Sequence, residues 1–176
     1  MLETINGGKL PTKATKYSSS VDLYANETVT IRAGETKVVP LGVCIDLEQI
    51  KDISYDYYNE FGYFMKIHFF ELKIRSSLSA KYGLIIANGV GEIDLDYPDE
   101  IGIIIHNPIK IIETKNMNWF EKLLYNMFNL YMFDSKPFTI KKGDRIAQIK
   151  LMEHKSNMMG FDSEDIRNGG YGSTGK

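Results

Sequence analysis

Three consecutive residues, Arg75, Ser76 and Ser77, place a planar guanidinium fork beside two hydroxyls, directly after a run rich in aromatic and branched residues. That set suits phosphate oxygens, because arginine donates paired charge-assisted hydrogen bonds and the hydroxyls add short ones. In isolation the triplet is no more than a surface turn, since charged side chains usually only solvate a face. Asp94 closes the segment Gly91-Glu92-Ile93-Asp94. A carboxylate fixed in a hairpin can orient and deprotonate a water, although an Asp accepting backbone N–H groups in a turn is as common. Taken together, these residues imply chemistry on a small phosphorylated ligand: cations along the phosphates, a held water and a pocket for the remainder.

Two other patterns point away from chemistry. Gly170 to Lys176 satisfies the first part of a P-loop, but such a loop continues into Ser or Thr and a helix facing the phosphates, and the sequence stops at Lys176. His68, His106 and His154 are far apart and lack a second ligand at metal spacing, so they read as structural or solvent-facing.

The elements that must hold these residues read mostly as strands. From Val21 to Leu47, short β-rich runs alternate with turn material such as Ala25-Asn26-Glu27 and Arg32-Ala33-Gly34-Glu35, the spacing of an antiparallel sandwich or barrel. Phe61 to Ile74 reads as a long strand or hairpin, and Tyr82 to Ala87 and Glu100 to Ile105 as strands flanking a polar hairpin from Asn88 to Asp99. Phe138 to Met152 is again β, broken at Lys142-Gly143-Asp144. One segment differs. Trp119, Phe120, Leu123, Leu124, Met127, Phe128 and Tyr131 recur at helical intervals, with Asn118 and Glu121 spaced as a capping box, which predicts a helix over 118–133.

At 176 residues, with 43% hydrophobic and 25% charged residues, the chain reads as a single folded domain. The formal charge of −2 excludes the strong basicity of a duplex-binding domain, so no nucleic-acid partner is expected. With one cysteine, Cys44, no intramolecular disulfide is possible. No leader-like or membrane-spanning apolar stretch is present, so a cytoplasmic location without membrane contact is expected.

Five segments, in order, resemble the five motifs of the trimeric dUTPase family: Ser19 to Ala25, Ile74 to Leu78, Asn88 to Tyr97, Gly143 to Gln148, and Gly169 to Gly175. The resemblance implies an all-β, dUTPase-like barrel or jelly roll with one short inserted helix, forming a homotrimer with C-terminal arm exchange and shared active sites. It also implies magnesium-dependent hydrolysis of dUTP to dUMP and pyrophosphate, which keeps uracil out of DNA and supplies dUMP for thymidylate synthesis. Carried over residue by residue, Asp94 activates the nucleophilic water. Arg75, Ser76, Ser77 and Gln148 serve the phosphates. Asn88, Gly91, Ile93 and Gly102 surround uracil, and Tyr97 packs on the deoxyribose. Asp22 holds waters on a Mg2+ that sits mainly on the triphosphate. Arg167, Tyr171, Gly172, Ser173 and Thr174 belong to a C-terminal lid over 164–176.

The segment 110–136 stands where the family has a short connection and reads as an insertion, whose apolar helix stripe around Trp119–Tyr131 must be buried on its own barrel, in the trimer or on a protein partner. Two other functions remain open. One is a regulatory protein-binding module on the same scaffold. The other is dCTP deaminase, which shares the Arg-Ser-Ser segment but differs in the hairpin and tail.

Overall fold

The computed structural model describes residues 1–58, 61–111, 117–128, 133–134, 136–161, 163 and 169–170. Along the chain run β1 (Leu2–Thr4), β2 (Thr12–Lys13), β3 (Val21–Tyr24), β4 (Val29–Ile31), β5 (Thr36–Pro40) and β6 (Val43–Ile45). Two helices follow, α1 (Leu47–Tyr58) and α2 (Phe61–Ile67), then β7 (His68–Ile74), α3 (Ser76–Tyr82), β8 (Ile85–Ile86), β9 (Gly91–Asp94) and β10 (Gly102–His106). The remainder comprises β11 (Lys110–Ile111), α4 (Trp119–Phe128), β12 (Phe133–Asp134), β13 (Phe138–Ile140) and β14 (Arg145–Glu153).

The expected all-β architecture is present. A five-stranded antiparallel sheet in the order β2-β3-β14-β7-β9 is joined by a three-stranded sheet, β5-β10-β8, and by the pairs β13-β4, β1-β6 and β11-β12. Side-chain alternation decides what each face of the large sheet does. Leu23, Leu72, Ala147 and Ile149 point to one side and are fully buried with Ile31, Val39, Ile103 and Ile105 from the other sheets. The opposite side carries Asp22, Glu71, Lys73, Gln148 and Lys150, which the register sets in neighbouring rows.

Helix content exceeds the single insertion expected. The run from Phe61 to Ile74 is not one strand: it is α2 up to Ile67 and a strand only from His68. Phe64 and Ile67, three apart, are buried together. The buried His68 ring stacks on Phe64 at 4.1 Å and donates from Nδ1 to the Phe64 carbonyl at 3.0 Å. Helix α1 carries a readable signal, Asp46 followed by Gln49. Asp46 Oδ1 accepts from the Gln49 amide at 2.9 Å, and Ile50 then enters the core. Tyr82 ends α3 rather than beginning a strand.

Helix α4 forms where expected and its capping box closes in both directions, Asn118 Oδ1 accepting from the Glu121 amide and Glu121 Oε2 from the Asn118 amide, each at 2.9 Å. It ends at Phe128, and Tyr131 lies outside the described residues.

The N-terminal loop is pinned by a close backbone crossing. Ile5 N–H donates to the Gly42 carbonyl at 2.9 Å, and a Cβ on Gly8 would collide with the Gly42 backbone. Gly8→Ala should therefore lower stability by about 1–3 kcal/mol in a urea titration, the usual cost of overpacking a tight contact.

Candidate functional site

The expected site residues fall into two groups, one on the outward face of the large sheet and one around the β9 hairpin. The first gathers around Asp22 on β3. Its carboxylate accepts from Gln148 Nε2 at 3.1 Å and lies 3.3 Å from Arg75 Nε through Oδ1, while Oδ2 accepts from Arg145 Nη1 at 3.1 Å. Although Asp22 points away from the core, these partners leave it only 1% exposed.

Sheet register explains each placement. Gln148 is the cross-strand partner of Asp22. The Arg75 amide extends the ladder beyond β7 by donating to the Ile146 carbonyl at 2.9 Å, which holds the guanidinium over the neighbouring strand. Ser76 and Ser77 follow at once, opening α3.

Arg145 did not figure among the expected site residues. Strict alternation from Ala147, whose side chain is in the core, would send Arg145 inward. A bulge between Arg145 and Ala147 shifts the register by one, so that Arg145 pairs with Tyr24 while Ala147 pairs with Leu23. The extra residue turns the guanidinium onto the face of Asp22. The segment Gly143 to Gln148 displayed the arginine in the sequence but not the bulge.

Like charges brought this close repel. The single carboxylate between them makes the arrangement tolerable, and both guanidiniums keep outward-facing surface, at 24% and 44% side-chain exposure, with spare N–H donors for an anion. On the same face Glu71 binds Lys73 at 2.8 Å and Lys150 at 3.1 Å, and these two ammonium groups, Lys73 first, hold its carboxyl below the usual carboxylate range.

The second group surrounds a cavity of about 150 Å³ between β9, β10 and the preceding turn. Asn88, Gly91, Ile93, Tyr97 and Gly102 all line it, together with Leu72. A Cβ on Gly91 would come within 3.1 Å of Leu72 Cβ, so glycine keeps the cavity open. Tyr97 is buried, and the Tyr97 amide donates to the Asp94 carbonyl at 3.1 Å, closing the turn after β9. Asp94, one residue beyond Ile93, has an exposed side chain. Gly170, from the C-terminal segment, sits so close to the Tyr97 ring that any Cβ there would enter it. Arg167, Tyr171, Gly172, Ser173 and Thr174 lie outside the described residues.

Asp94 does not meet the arginine cluster within one chain. Asp94 pairs with Phe69, and Arg75 stands six residues further along from Phe69, roughly 20 Å at the rise of a strand. Among the described residues no cluster of three or more His, Cys, Asp or Glu is placed to hold a metal. His68 is buried against Phe64, while His106 Nδ1 contacts Thr36 Oγ1 at 2.9 Å and His154 Nδ1 contacts Ser156 Oγ at 2.8 Å.

No protein-family model matches the chain. The deoxyuridine 5'-triphosphate nucleotidohydrolase of Rickettsia akari is 31% identical over 176 residues, covering 96% of this chain and 89% of the relative. The chain belongs to the dUTPase family. Solved dUTPase structures agree in fold. That of Staphylococcus bacteriophage 80alpha superposes with a TM-score of 0.59 at 21% identity, over 96% of this chain and 97% of that one. That of Staphylococcus aureus phage phi11, which shows the coordination of a structural Mg(II) ion, gives 0.58 at 18% identity over 96% of each chain.

Asp22→Ala should cost the dUTPase fold about 2 kcal/mol in a urea titration. This is below the ~3–5 kcal/mol for breaking a fully buried pair, because both guanidiniums remain partly solvated.

Proposed function

We propose that the chain hydrolyses dUTP to dUMP and pyrophosphate by attack of a water on the α-phosphorus. One observation carries the reading: four hairpin residues and Gly102 of β10, expected around a uracil and its sugar, line a single cavity, with Asp94 directly after Ile93. In this reading the exposed backbone of the Asn88–Gly91 turn reads the edge of the base as a partner strand would, and the buried Tyr97 ring closes the space a 2′-hydroxyl would need. Asp94 orients the water and takes its proton. Arg75, Arg145, Ser76, Ser77 and Gln148 bind the phosphate oxygens.

Magnesium, the expected cofactor, would neutralise charge on the leaving pyrophosphate while riding on the triphosphate. The donor set fits that arrangement better than direct ligation. Of the roughly four acceptor directions of a carboxylate, Asp22 spends three on Arg75, Arg145 and Gln148, leaving room for a metal-borne water but not for the ion.

The separation of Asp94 from Arg75 supports a site completed between copies, in a homotrimer whose neighbours bring the hairpin of one chain to the Asp22 cluster of another. Exposure of Met158, Met159 and Phe161 at 69–82% just after β14 supports exchange of the C-terminal arm, since such a run is stabilised by burial on a neighbour. Contact of Gly170 with Tyr97 supports a lid over 164–176, with Tyr171 on the base and Arg167, Gly172, Ser173 and Thr174 over the phosphates. Residues 1–176 form one domain in this reading, with 110–136 as its insertion, acting in the cytoplasm; no helix among the described residues is long and apolar enough to cross a membrane.

A second reading draws on α4. Trp119 is 77% exposed, and Phe120, Leu123 and Met127 also face solvent, which suits a protein partner. Phage dUTPases such as that of 80alpha are described as controlling the transfer of virulence genes. A regulatory role of this kind is compatible with catalysis.

With magnesium present, pyrophosphate should be released from dUTP and not from dTTP, dCTP or UTP, and Asp94→Asn should reduce the rate about 10²–10⁴-fold. Ammonia released from dCTP would replace this reading with deamination. Co-expressing Asp94→Asn with Arg75→Ala, each inactive alone, should restore turnover, because some mixed sites combine an intact hairpin with an intact arginine. Sites built within one chain would stay silent.

A further inference from the structure

A cation that belongs to none of the five motifs stands over the ring of Tyr24, the cross-strand neighbour of Arg145. Lys9 Nζ lies 3.8 Å from the centroid of the Tyr24 ring. Tyr24 is two residues beyond Asp22, so alternation puts both side chains on the same face of the sheet, and its cross-strand partner is Arg145. The ring is fixed. It is buried, and its hydroxyl lies 2.6 Å from Thr12 Oγ1 on β2, the strand that pairs with β3. The backbone that presents Lys9 is fixed as well, because Gly8 donates to the Ile5 carbonyl at 2.9 Å and packs directly on Gly42.

We propose that Lys9, positioned by the face of Tyr24, is a further phosphate-binding residue of the triphosphate half-site formed by Arg75, Arg145 and Gln148. The proposal rests on the hydrolase reading and deepens it.

Three observations carry it. A lysine normally sweeps a wide volume, and the ring face confines this one to the neighbourhood of Tyr24, which pairs with Arg145. A cation–π contact uses no hydrogen-bond donor, so all three N–H groups stay available to phosphate oxygens. Among the described residues no carboxylate lies within ion-pairing distance of Lys9, so its charge adds to those of Arg75 and Arg145, which share only Asp22. An uncompensated cation added to two guanidiniums is unfavourable alone and is relieved by a polyanion. The competing explanation, that the lysine stem merely covers Tyr24, predicts that charge is irrelevant.

The experiment measures binding of the non-hydrolysable analogue dUpNHpp and, separately, of dUMP to wild type, Lys9→Met, Lys9→Arg and Lys51→Met. The methionine keeps the stem and removes the charge, and Lys51, on α1, controls for net charge. Lys9→Met should weaken dUpNHpp binding about tenfold, the loss of one charge-assisted contact, and leave dUMP affinity unchanged. KM for dUTP should rise with kcat nearly constant. Lys9→Arg should recover most of the affinity, and Lys51→Met should match wild type. Equal losses for dUpNHpp and dUMP with a lower Tm would overturn the proposal in favour of packing. Wild-type binding of both ligands by Lys9→Met would overturn it too, while wild-type turnover of dUTP in the same preparations would leave the hydrolase reading standing. A wild type that neither binds nor hydrolyses dUTP would remove both.

Discussion

Everything that can bind an anion at the end of the large sheet depends on one carboxylate placed between two guanidiniums. Arg75 and Arg145 arrive from different strands, and Coulomb repulsion would splay them into solvent if nothing neutralised the space between. Asp22 does so without needing solvent, since each oxygen already has an N–H partner. The cost of burying its charge is offset by those contacts. What results is a pair of cations whose forks are set before any ligand arrives, so little reorganisation is left for the moment of binding.

The same sheet separates two tasks by its two faces. Its inward side, with Leu23, Leu72 and Ile149, is ordinary core and supplies the apolar floor of the hairpin cavity through Leu72. Its outward side is a polar field in which Glu71 ties Lys73 to Lys150 midway between the arginine cluster and Asp94. Rigidity is therefore inherited from the core, while charge is arranged on a surface that a second copy can approach.

The residues from Asn88 to Tyr97 were legible as one site through their resemblance to a family motif, which is short and continuous in the chain. The Arg75–Asp22–Gln148 grouping was legible only as separate motifs, since strand order, not sequence distance, brings them together. Helix α4 announced itself by period and cap. Helix α1, where Asp46 caps the Gln49 amide in one direction only, was not anticipated from the sequence. Phe61 to Ile67 was misread because aromatic and branched residues suit a strand as well as a buried helix, and only the Phe64 and Ile67 contacts decide between them. Arg145 was hidden by a bulge, which has no signature in composition.

That bulge makes the positive character of the site a matter of counting rather than of chemistry. Between Asp144 and Ala147 the identity of a residue can drift without disturbing which way its neighbours point, but the number of residues cannot grow. Gain of a single position there, with the bulge kept, would keep every arginine in the sequence and yet turn a guanidinium from solvent toward Leu23 and Ile149. In descendants of this chain, substitutions should accumulate in that short stretch far more readily than insertions.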